Sequence, residues 1–174
     1  LKAEAPDLVH KSEHRAVVSR LANGDEVWDA AKDLLARLRG DFKKLGLVVQ
    51  ERAPGHREIL IGMTRDPRYG PLFAAGLGGT HVEVLRDVAF RIAPMDGADP
   101  EEMFGSLAGA ALLGPFRGEP AADVAFACEV LLRIQRLVID FPEIVEVEIN
   151  PLILAAPGER SLAVDARLRL AEAR

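Results

Sequence analysis

An uninterrupted alternation of apolar and polar side chains over residues 145–151 constrains the fold more than any other feature of the sequence. Side chains of a β-strand point alternately to the two faces of its sheet, so this segment is predicted to be a half-buried strand. Its expected core face holds Val145, Val147 and Ile149. Its expected polar face holds Glu146, Glu148 and Asn150. Because Pro151 favours an extended conformation for the residue before it, the polar face should continue to the end of the segment.

A second alternating run, residues 162–168, contains Asp165. If it pairs antiparallel with residues 144–154, Asp165 approaches Glu148 and Asn150. Two carboxylates about 4 Å apart repel by roughly 4 kcal/mol at an effective dielectric of about 20, so such a cluster needs a compensating charge. Two carboxylates and an amide oxygen suit Mg²⁺, which shares its other positions with water and substrate phosphates. On spacing alone, an ordinary solvated strand face is the more frequent arrangement, and both interpretations stay open.

The remaining patterns predict a mixture of short strands and a few helices, hence an α+β fold. Apolar residues at helical spacing predict helices over residues 25–38 and 122–140, and Asp99-Pro100 is a typical helix start. Val88, Phe90 and Ile92 alternate as in a half-buried strand. The other predicted strands are residues 15–21, 47–51, 58–63 and 72–75. The breaker sequence Ala53-Pro54-Gly55 predicts a boundary between residues 1–54 and 55–174.

Composition excludes several classes of function. The 174 residues carry a net charge of −5 and no basic run interleaved with aromatic residues, which argues against binding to nucleic acid. Cys128 is the only cysteine, so a disulfide framework and a cysteine metal site are excluded and a reducing compartment is expected. No apolar run approaches the roughly 20 residues that cross a bilayer. We therefore expect a cytoplasmic protein that does not bind membranes.

Short stretches in a characteristic order carry a family resemblance. They are Leu1-Lys2, Ala5-Pro6-Asp7 with His10 to Glu13, Val49-Gln50-Glu51, Glu58 to Gly62, Arg65-Asp66-Pro67 with Gly70-Pro71, Gly76 to Gly79 with Glu83 and Asp87, Asp140 to Glu143, and Glu148 to Leu152. In this order the chain resembles the ATP-grasp portion of the ADP-forming acetyl-CoA synthetase family, which is related to the β subunit of succinyl-CoA ligase. The resemblance favours the metal interpretation of the acidic strand pair.

The resemblance implies an ATP-grasp fold truncated at its N-terminus. Residues 1–54 would be the remnant of the small lobe and residues 55–174 the large lobe. The implied function is that of an ATP-binding module of an acyl-CoA synthetase, an acid–thiol ligase that forms ADP and phosphate. The fragment alone should be inactive, because the CoA-binding and ligase domains would lie elsewhere in the same chain or in a partner chain. A regulatory module of a fused protein acetyltransferase is the alternative.

The resemblance also implies roles for individual residues. Glu148, Asn150 and Asp165 match positions that hold Mg²⁺. Lys2 matches a strand lysine that contacts ATP phosphates, unless it is a solvated strand-end lysine. Gln50 and Glu51 match the strand that meets the adenosine, with a purely structural role as the alternative. His10 matches a histidine that relays phosphate between sites, with Lys11 beside it among the nucleotide-binding residues; the alternative is a loop histidine packed beside Lys11.

Two features limit these expectations. The family usually has two small residues, often Gly-Gly, where this chain has Arg15-Ala16, which puts the phosphate relay at His10 in doubt. The stretch Gly76 to Gly79 lacks the Lys-Ser/Thr ending of a P-loop, so a tight glycine turn is favoured over a phosphate cradle. The sequence does not identify the acyl group, the nucleotide preference or the oligomeric state, and a homodimer is compatible with it.

Overall fold

The computed structural model describes residues 1–8, 14–42, 44–79 and 87–172. Contacts between Cα atoms divide the chain into two compact units, Leu1–Arg52 and Ala53–Arg174, and each is described by itself. Their assignment to the two lobes of an ATP-grasp fold, with a boundary after residue 54, stays a prediction. Within the described ranges, no helix is both long and apolar enough to cross a membrane.

The first unit combines one helix with a two-stranded antiparallel sheet. Strand β1 spans Lys2–Glu4 and pairs with β2, Gly46–Val48. Its buried residues are Ala3, Leu8, Ala16, Leu34 and Leu38. The strand predicted over residues 15–21 is wrong, because only Val17 forms an isolated bridge, to Lys2. Arg15 and Arg20 have positive φ angles of 48° and 63°, and left-handed residues interrupt an extended run.

Helix α1, Gly24–Leu38, follows from its sequence pattern and its cap. The Asn23 side chain accepts a hydrogen bond of 3.0 Å from the backbone N–H of Glu26 and satisfies one of the free donors at the helix start. The helix therefore begins at Gly24, one residue before the predicted start at residue 25. The apolar stripe packs as expected around Leu34 and Leu38. Trp28 is 68% exposed and lies outside the core of this unit.

The second unit is built on a six-stranded antiparallel sheet. Its strands are β3 (Arg57–Asp66), β4 (Gly70–Leu77), β5 (Val88–Ile92), β6 (Ile144–Leu154), β7 (Leu162–Ala163) and β8 (Ala166–Leu170). They are arranged β5-β4-β3-β6, with β7 and β8 both paired to β6. Among the described residues of this unit, the helices are α2 (Asp99–Gly105) and α3 (Val124–Asp140), with a 3₁₀ turn at Ala110–Leu113. The predicted α+β architecture is confirmed.

One face of this sheet is covered by the helices. Strand register places Ile61 of β3 opposite Ala75 of β4 and Ile149 of β6. These residues form a single apolar core with the helices, through Met103 and Phe104 of α2 and Ala127, Leu131, Ile134 and Val138 of α3. Full burial of such a side chain contributes about 1.5–3 kcal/mol. We call this side of the sheet the covered face and the other side the open face.

Strand β6 departs from strict alternation after the predicted polar segment. Its pairing with β3 shifts by one residue between Ile149 and Leu152, which is a β-bulge at the cis peptide Asn150–Pro151. A bulge reverses the alternation, so that the buried positions are 147 before it and 152 and 154 after it. The predicted polar face of Glu146, Glu148 and Asn150 therefore ends at this bulge. A second shift, in the pairing with β8, leaves Val145 half-buried beside a buried Ile144.

Strand β5 has the predicted alternation, but its larger apolar residues, which were expected to face the core, lie on the other side of the sheet. Its register sets Ala89 opposite Ala75 and Arg91 opposite Phe73, so these two residues share the covered face. Arg91 lies at the sheet edge and pairs with acidic residues of α2. Phe90 and Ile92 lie on the open face and are 56% and 48% exposed. Sequence alternation fixes which residues share a face, and the strand pairing decides which face is covered.

Candidate functional site

Pairing of β6 with β8 assembles the predicted acidic cluster. Glu148 lies opposite Arg167, and Ile149 lies opposite Ala166. One step further, the backbone N–H of Asn150 donates a hydrogen bond of 3.0 Å to the carbonyl oxygen of Asp165. The antiparallel arrangement expected from the sequence therefore brings Asp165 beside Asn150.

The three predicted metal ligands line one cavity of about 170 Å³, and Arg167 is its fourth lining residue. Glu148 is half-buried, whereas Asn150, Asp165 and Arg167 are exposed. The side-chain N–H of Asn150 donates a hydrogen bond of 3.4 Å to Glu148, which leaves the amide oxygen of Asn150 free for another ligand. The bulge at Asn150 contributes to this grouping, because a bulge re-aims the side chains of its strand.

The donor set of the cavity fits Mg²⁺. It offers two carboxylates and one amide oxygen, and Mg²⁺ is usually bound by one or two carboxylates together with water and substrate phosphates. Among the described residues, no group of three His, Cys, Asp or Glu side chains could hold a metal ion. Metal binding by these residues stays a prediction.

Arg167 is the residue of this cavity that the sequence reasoning missed. The alternation Arg167, Leu168, Arg169, Leu170 was visible in the sequence and places both arginines on the polar face of the strand pair. Arg169 forms an ion pair of 2.8 Å with Glu146. Within the described residues, the structure gives no ion pair or hydrogen bond to the Arg167 side chain, although Glu148 lies directly opposite.

The other predicted nucleotide contacts belong to the first unit. Lys2 lies on β1 opposite Val48, with its ammonium nitrogen 3.5 Å from a carboxylate oxygen of Glu4. Gln50 and Glu51 follow β2 and are exposed. Their roles stay predictions.

The predicted catalytic residue His10 and its neighbour Lys11 lie outside the described residues, as does Glu83. His14 is the next described residue, and its ring packs edge-on against Phe42 with 5.4 Å between the ring centroids. Arg15 has a φ of 48°, and its carbonyl oxygen accepts a hydrogen bond of 2.7 Å from Arg37. The resemblance expects a small residue here. Arg15 therefore adopts the left-handed backbone that glycine favours, although it carries a large side chain.

The glycine-rich stretch is explained by close backbone packing. Gly78 donates a hydrogen bond of 2.6 Å to the carbonyl oxygen of Glu58, and a Cβ at Gly78 would lie 2.8 Å from the carbonyl carbon of Glu58. Gly79 adopts a φ of 91°. Asp87 accepts hydrogen bonds of 2.8 Å from the backbone N–H groups of Ala108 and Gly109. The contact of Gly78 holds the end of β4 against the start of β3, and the contacts of Asp87 hold residues 108 and 109. Close packing of the backbone thus explains why glycine stands at position 78, without a bound phosphate.

Two titratable groups of the second unit have shifted pKa values with structural causes. Burial raises the pKa of the Cys128 thiol to about 11, which agrees with its place in the apolar core. A hydrogen bond from Arg57 lowers the pKa of the Glu119 carboxyl. Arg57 also donates to the carbonyl oxygen of Leu112 at 2.5 Å, while its buried Nη2 has no partner among the described residues. This arginine ties the 110–119 segment to the start of β3.

Comparison with known proteins gives concordant matches. The model of the ATP-grasp domain family matches residues 1–170. The chain is 37% identical over 175 residues to acetate–CoA ligase [ADP-forming] I of Archaeoglobus fulgidus, covering 99% of this chain and 25% of that protein. It is 33% identical to the β subunit of acetate–CoA ligase [ADP-forming] I of Pyrococcus furiosus, covering 98% of this chain and 74% of the subunit.

A solved structure extends the similarity to three dimensions. It is acetyl-coenzyme A synthetase 1 of Candidatus Korarchaeum cryptofilum in complex with coenzyme A and Mg-AMPPCP, with a TM-score of 0.78 and 37% identity. The match covers 98% of this chain and 75% of that chain. The chain thus spans a quarter of one relative and about three-quarters of the two others. All three relatives are ligases or synthetases that act on CoA, and none is an acetyltransferase.

Proposed function

The chain belongs to the ATP-grasp domain family, and from this membership we propose that it is the nucleotide-binding module of an ADP-forming acyl-CoA synthetase. The complete protein would join an acid to CoA while converting ATP to ADP and phosphate. The observation that carries the proposal is the cavity on the open face, where two carboxylates, an amide and a guanidinium meet. Such a mixture of charges suits a metal–phosphate ligand.

Within this proposal, Glu148, Asn150 and Asp165 would hold Mg²⁺. A bound Mg²⁺ supplies positive charge that offsets the negative charge of nucleotide phosphates. The position of the metal ion would be determined by the residues that bind it. Asp165 is fixed through the backbone hydrogen bond with Asn150, and Glu148 through the central position of β6 between β3 and β8. Asp165 lies between β7 and β8, so the backbone hydrogen bonds of residues 164 and 165 to Pro151 and Asn150 are what hold it beside β6.

The first unit would contribute the remaining nucleotide contacts. Lys2 would bring its ammonium group to the phosphates, and Lys11 would add a second cation. Gln50 and Glu51 would meet the adenosine through backbone groups and a carboxylate. Support comes from the family membership and from the exposure of Gln50 and Glu51.

His10 would accept a phosphoryl group and relay it to a second site. A neutral imidazole nitrogen is nucleophilic near physiological pH, which suits this role. The second site and the CoA-binding and ligase domains would be supplied by the same chain or by a partner chain.

The full-length gene product tests the proposal through release of ADP that depends on both an acid and CoA. Asn150→Ala and Asp165→Ala should each lower this rate at least about tenfold, because loss of even an outer-shell partner commonly costs that much in metal affinity or activity. Glu159→Gln is the matched control, since Glu159 is an exposed carboxylate in the β6–β7 connection and does not line the cavity. Unchanged rates in both alanine variants would show that the metal assignment is wrong.

Incubation with γ-labelled ATP separates the ligase from the regulatory acetyltransferase alternative. The proposal predicts acid-labile label on His10 and its loss in His10→Asn. A protein that binds Mg·ATP, takes no label and transfers acetyl groups to another protein would contradict the ligase function.

A further inference from the structure

Strand β8 presents two arginines that face two glutamates of β6, and the two pairs behave differently. Arg169 closes on Glu146 with an N–O distance of 2.8 Å. Arg167 stands in register with Glu148, yet no ion pair joins them within the described part of the chain. Directly opposed residues on one face of a strand pair lie close enough to interact, as the first pair shows. Glu148 and Arg167, the two residues that no ion pair joins, are the ones that line the cavity.

The charges in the cavity make Arg167 more than a counter-ion for the carboxylates. Glu148, Asp165 and Arg167 together carry one net negative charge, which attracts a cation. Occupied by a divalent cation, the cavity would carry one net positive charge and would attract an anion. Without the guanidinium, the carboxylates and the cation would be balanced, and this second attraction would be lost. The arginine therefore matters most once a metal is present.

The chemistry of guanidinium fits such an anion. Its planar fork of N–H donors matches two oxygens of a phosphate at once, which an ammonium group cannot do. Arg167 has no competing partner among the described residues, and it is exposed on the open face, so its donors are available. Asn150 already donates to Glu148, which gives that carboxylate a partner without the arginine.

We propose that Arg167 is a phosphate-binding residue that holds the phosphate bound to the metal at Glu148, Asn150 and Asp165. This inference rests on the proposed function, because it presumes a metal–phosphate ligand in the cavity. It assigns to Arg167 the orientation of that phosphate beside the cation. It assigns to Arg169 only the stabilisation of the strand pair through Glu146.

Two binding measurements on the full-length protein test this assignment. Calorimetry gives the affinity for Mg·ATP, and paramagnetic resonance gives the affinity for Mn²⁺ alone, for the wild type, Arg167→Gln and Arg169→Gln. Arg167→Gln should bind Mg·ATP roughly 10- to 100-fold more weakly, the range for loss of a hydrogen bond to a charged group. The same variant should bind Mn²⁺ alone as tightly as the wild type or more tightly, because a positive charge has left the cavity. Arg169→Gln should change the affinity for Mg·ATP by less than about twofold.

Each other outcome has a separate meaning. Weaker binding of both Mg·ATP and Mn²⁺ by Arg167→Gln would show a merely structural role and overturn the inference. Equal losses of Mg·ATP affinity in Arg167→Gln and Arg169→Gln would show a general effect of charge and also overturn it. An unchanged affinity in Arg167→Gln, with tight binding by the wild type, would refute the inference alone. Failure of the wild type to bind Mg·ATP would refute the proposed function itself.

Two further arms sharpen the identity of the anion. Arg167→Lys keeps the charge and loses the fork, so its affinity for Mg·ATP should lie between those of the wild type and Arg167→Gln. Mg²⁺ with inorganic phosphate replaces the nucleotide in the second arm. Binding that depends on Arg167 would assign the subsite to a free phosphoryl group, and absence of binding would assign it to the phosphate of the nucleotide.

Discussion

The two faces of the six-stranded sheet use the same strands for different purposes. One row across the covered face, from β5 to β8, consists of Ala89, Ala75, Ile61, Ile149 and Ala166. The neighbouring row on the open face consists of Phe90, Ala74, Gly62, Glu148 and Arg167. The covered row is apolar throughout. The open row begins with an exposed aromatic ring, continues with two small residues and ends with two residues of opposite charge. Adjacent positions of one strand therefore belong to the core on one face and to the candidate site on the other.

The largest expected difference between the faces is in stability. Phe73→Ala on the covered face should lower the free energy of unfolding by about 3–5 kcal/mol, because Phe73 is fully buried and its loss leaves a cavity. Phe90→Ala on the open face should cost less than about 1 kcal/mol, since Phe90 is already 56% exposed. Urea unfolding of both variants measures the difference. Similar losses in the two variants would mean that the open face is also part of the core.

For ligand binding, we expect the larger effect from a substitution on the open face. Asp165→Asn should reduce the affinity for Mg·ATP at least about tenfold, because a carboxylate ligand becomes a neutral amide. Its stability should change by less than about 0.5 kcal/mol, since Asp165 is exposed and its contact with Asn150 is made by the backbone. Calorimetry and urea unfolding on the same variant check both parts. If the variant lost both affinity and a large part of its stability, Asp165 would have a structural role and not a ligand-binding one.

A smaller effect is expected at the edge of the second unit, where Arg57 holds Glu119. The pKa of Glu119 is lowered in the folded state, mainly by the hydrogen bond from Arg57. The carboxylate therefore stabilises the fold above its ordinary pKa, and this stabilisation is lost as the pH falls through the lowered pKa. Glu119→Gln should be less stable than the wild type at pH 7, and the two should converge in acid. A difference that does not depend on pH would contradict this assignment.

The smallest effect concerns the reactivity of Cys128. Its thiol is buried against the covered face, and its pKa is raised to about 11, so little thiolate exists at pH 8. A thiol reagent at pH 8 should label the folded wild type and Asp165→Asn at the same slow rate. Phe73→Ala should be labelled faster, because its core opens more often. Rapid labelling of the folded wild type would place this thiol outside the core.

Local patterns predicted those parts of the second unit in which neighbours along the chain decide the structure. Strand β6 begins and ends at the predicted residues 144 and 154, and helix α3 ends as expected before Pro142. The antiparallel approach of Asp165 to Asn150 was also expected from alternation. The strand predicted over residues 162–168 is, however, divided into β7 and β8, with Val164 and Asp165 between them. These elements depend on periodicity and turn residues, which a single sequence contains.

Parts that depend on distant pairing could not be predicted in the same way. The covered side of β5 is decided by its register with β4, which no local pattern contains. The contact between Arg57 and Glu119 joins residues 62 positions apart. The bulge in β6 shows only as a shift against β3. Arg167, by contrast, alternates with Leu168 in the sequence, so its place on the polar face follows from the same local pattern as that of the acidic residues.

Anomalous diffraction from crystals of the full-length protein grown with Mn²⁺ and AMPPCP tests the central claim most directly. Mn²⁺ replaces Mg²⁺ at oxygen sites and reveals its position through anomalous scattering. The account predicts one strong peak in the cavity, at coordination distance of about 2.0–2.3 Å from oxygens of Glu148, Asn150 and Asp165, with a phosphate oxygen completing the shell. A peak elsewhere in the molecule, with these three side chains free of metal, would contradict it.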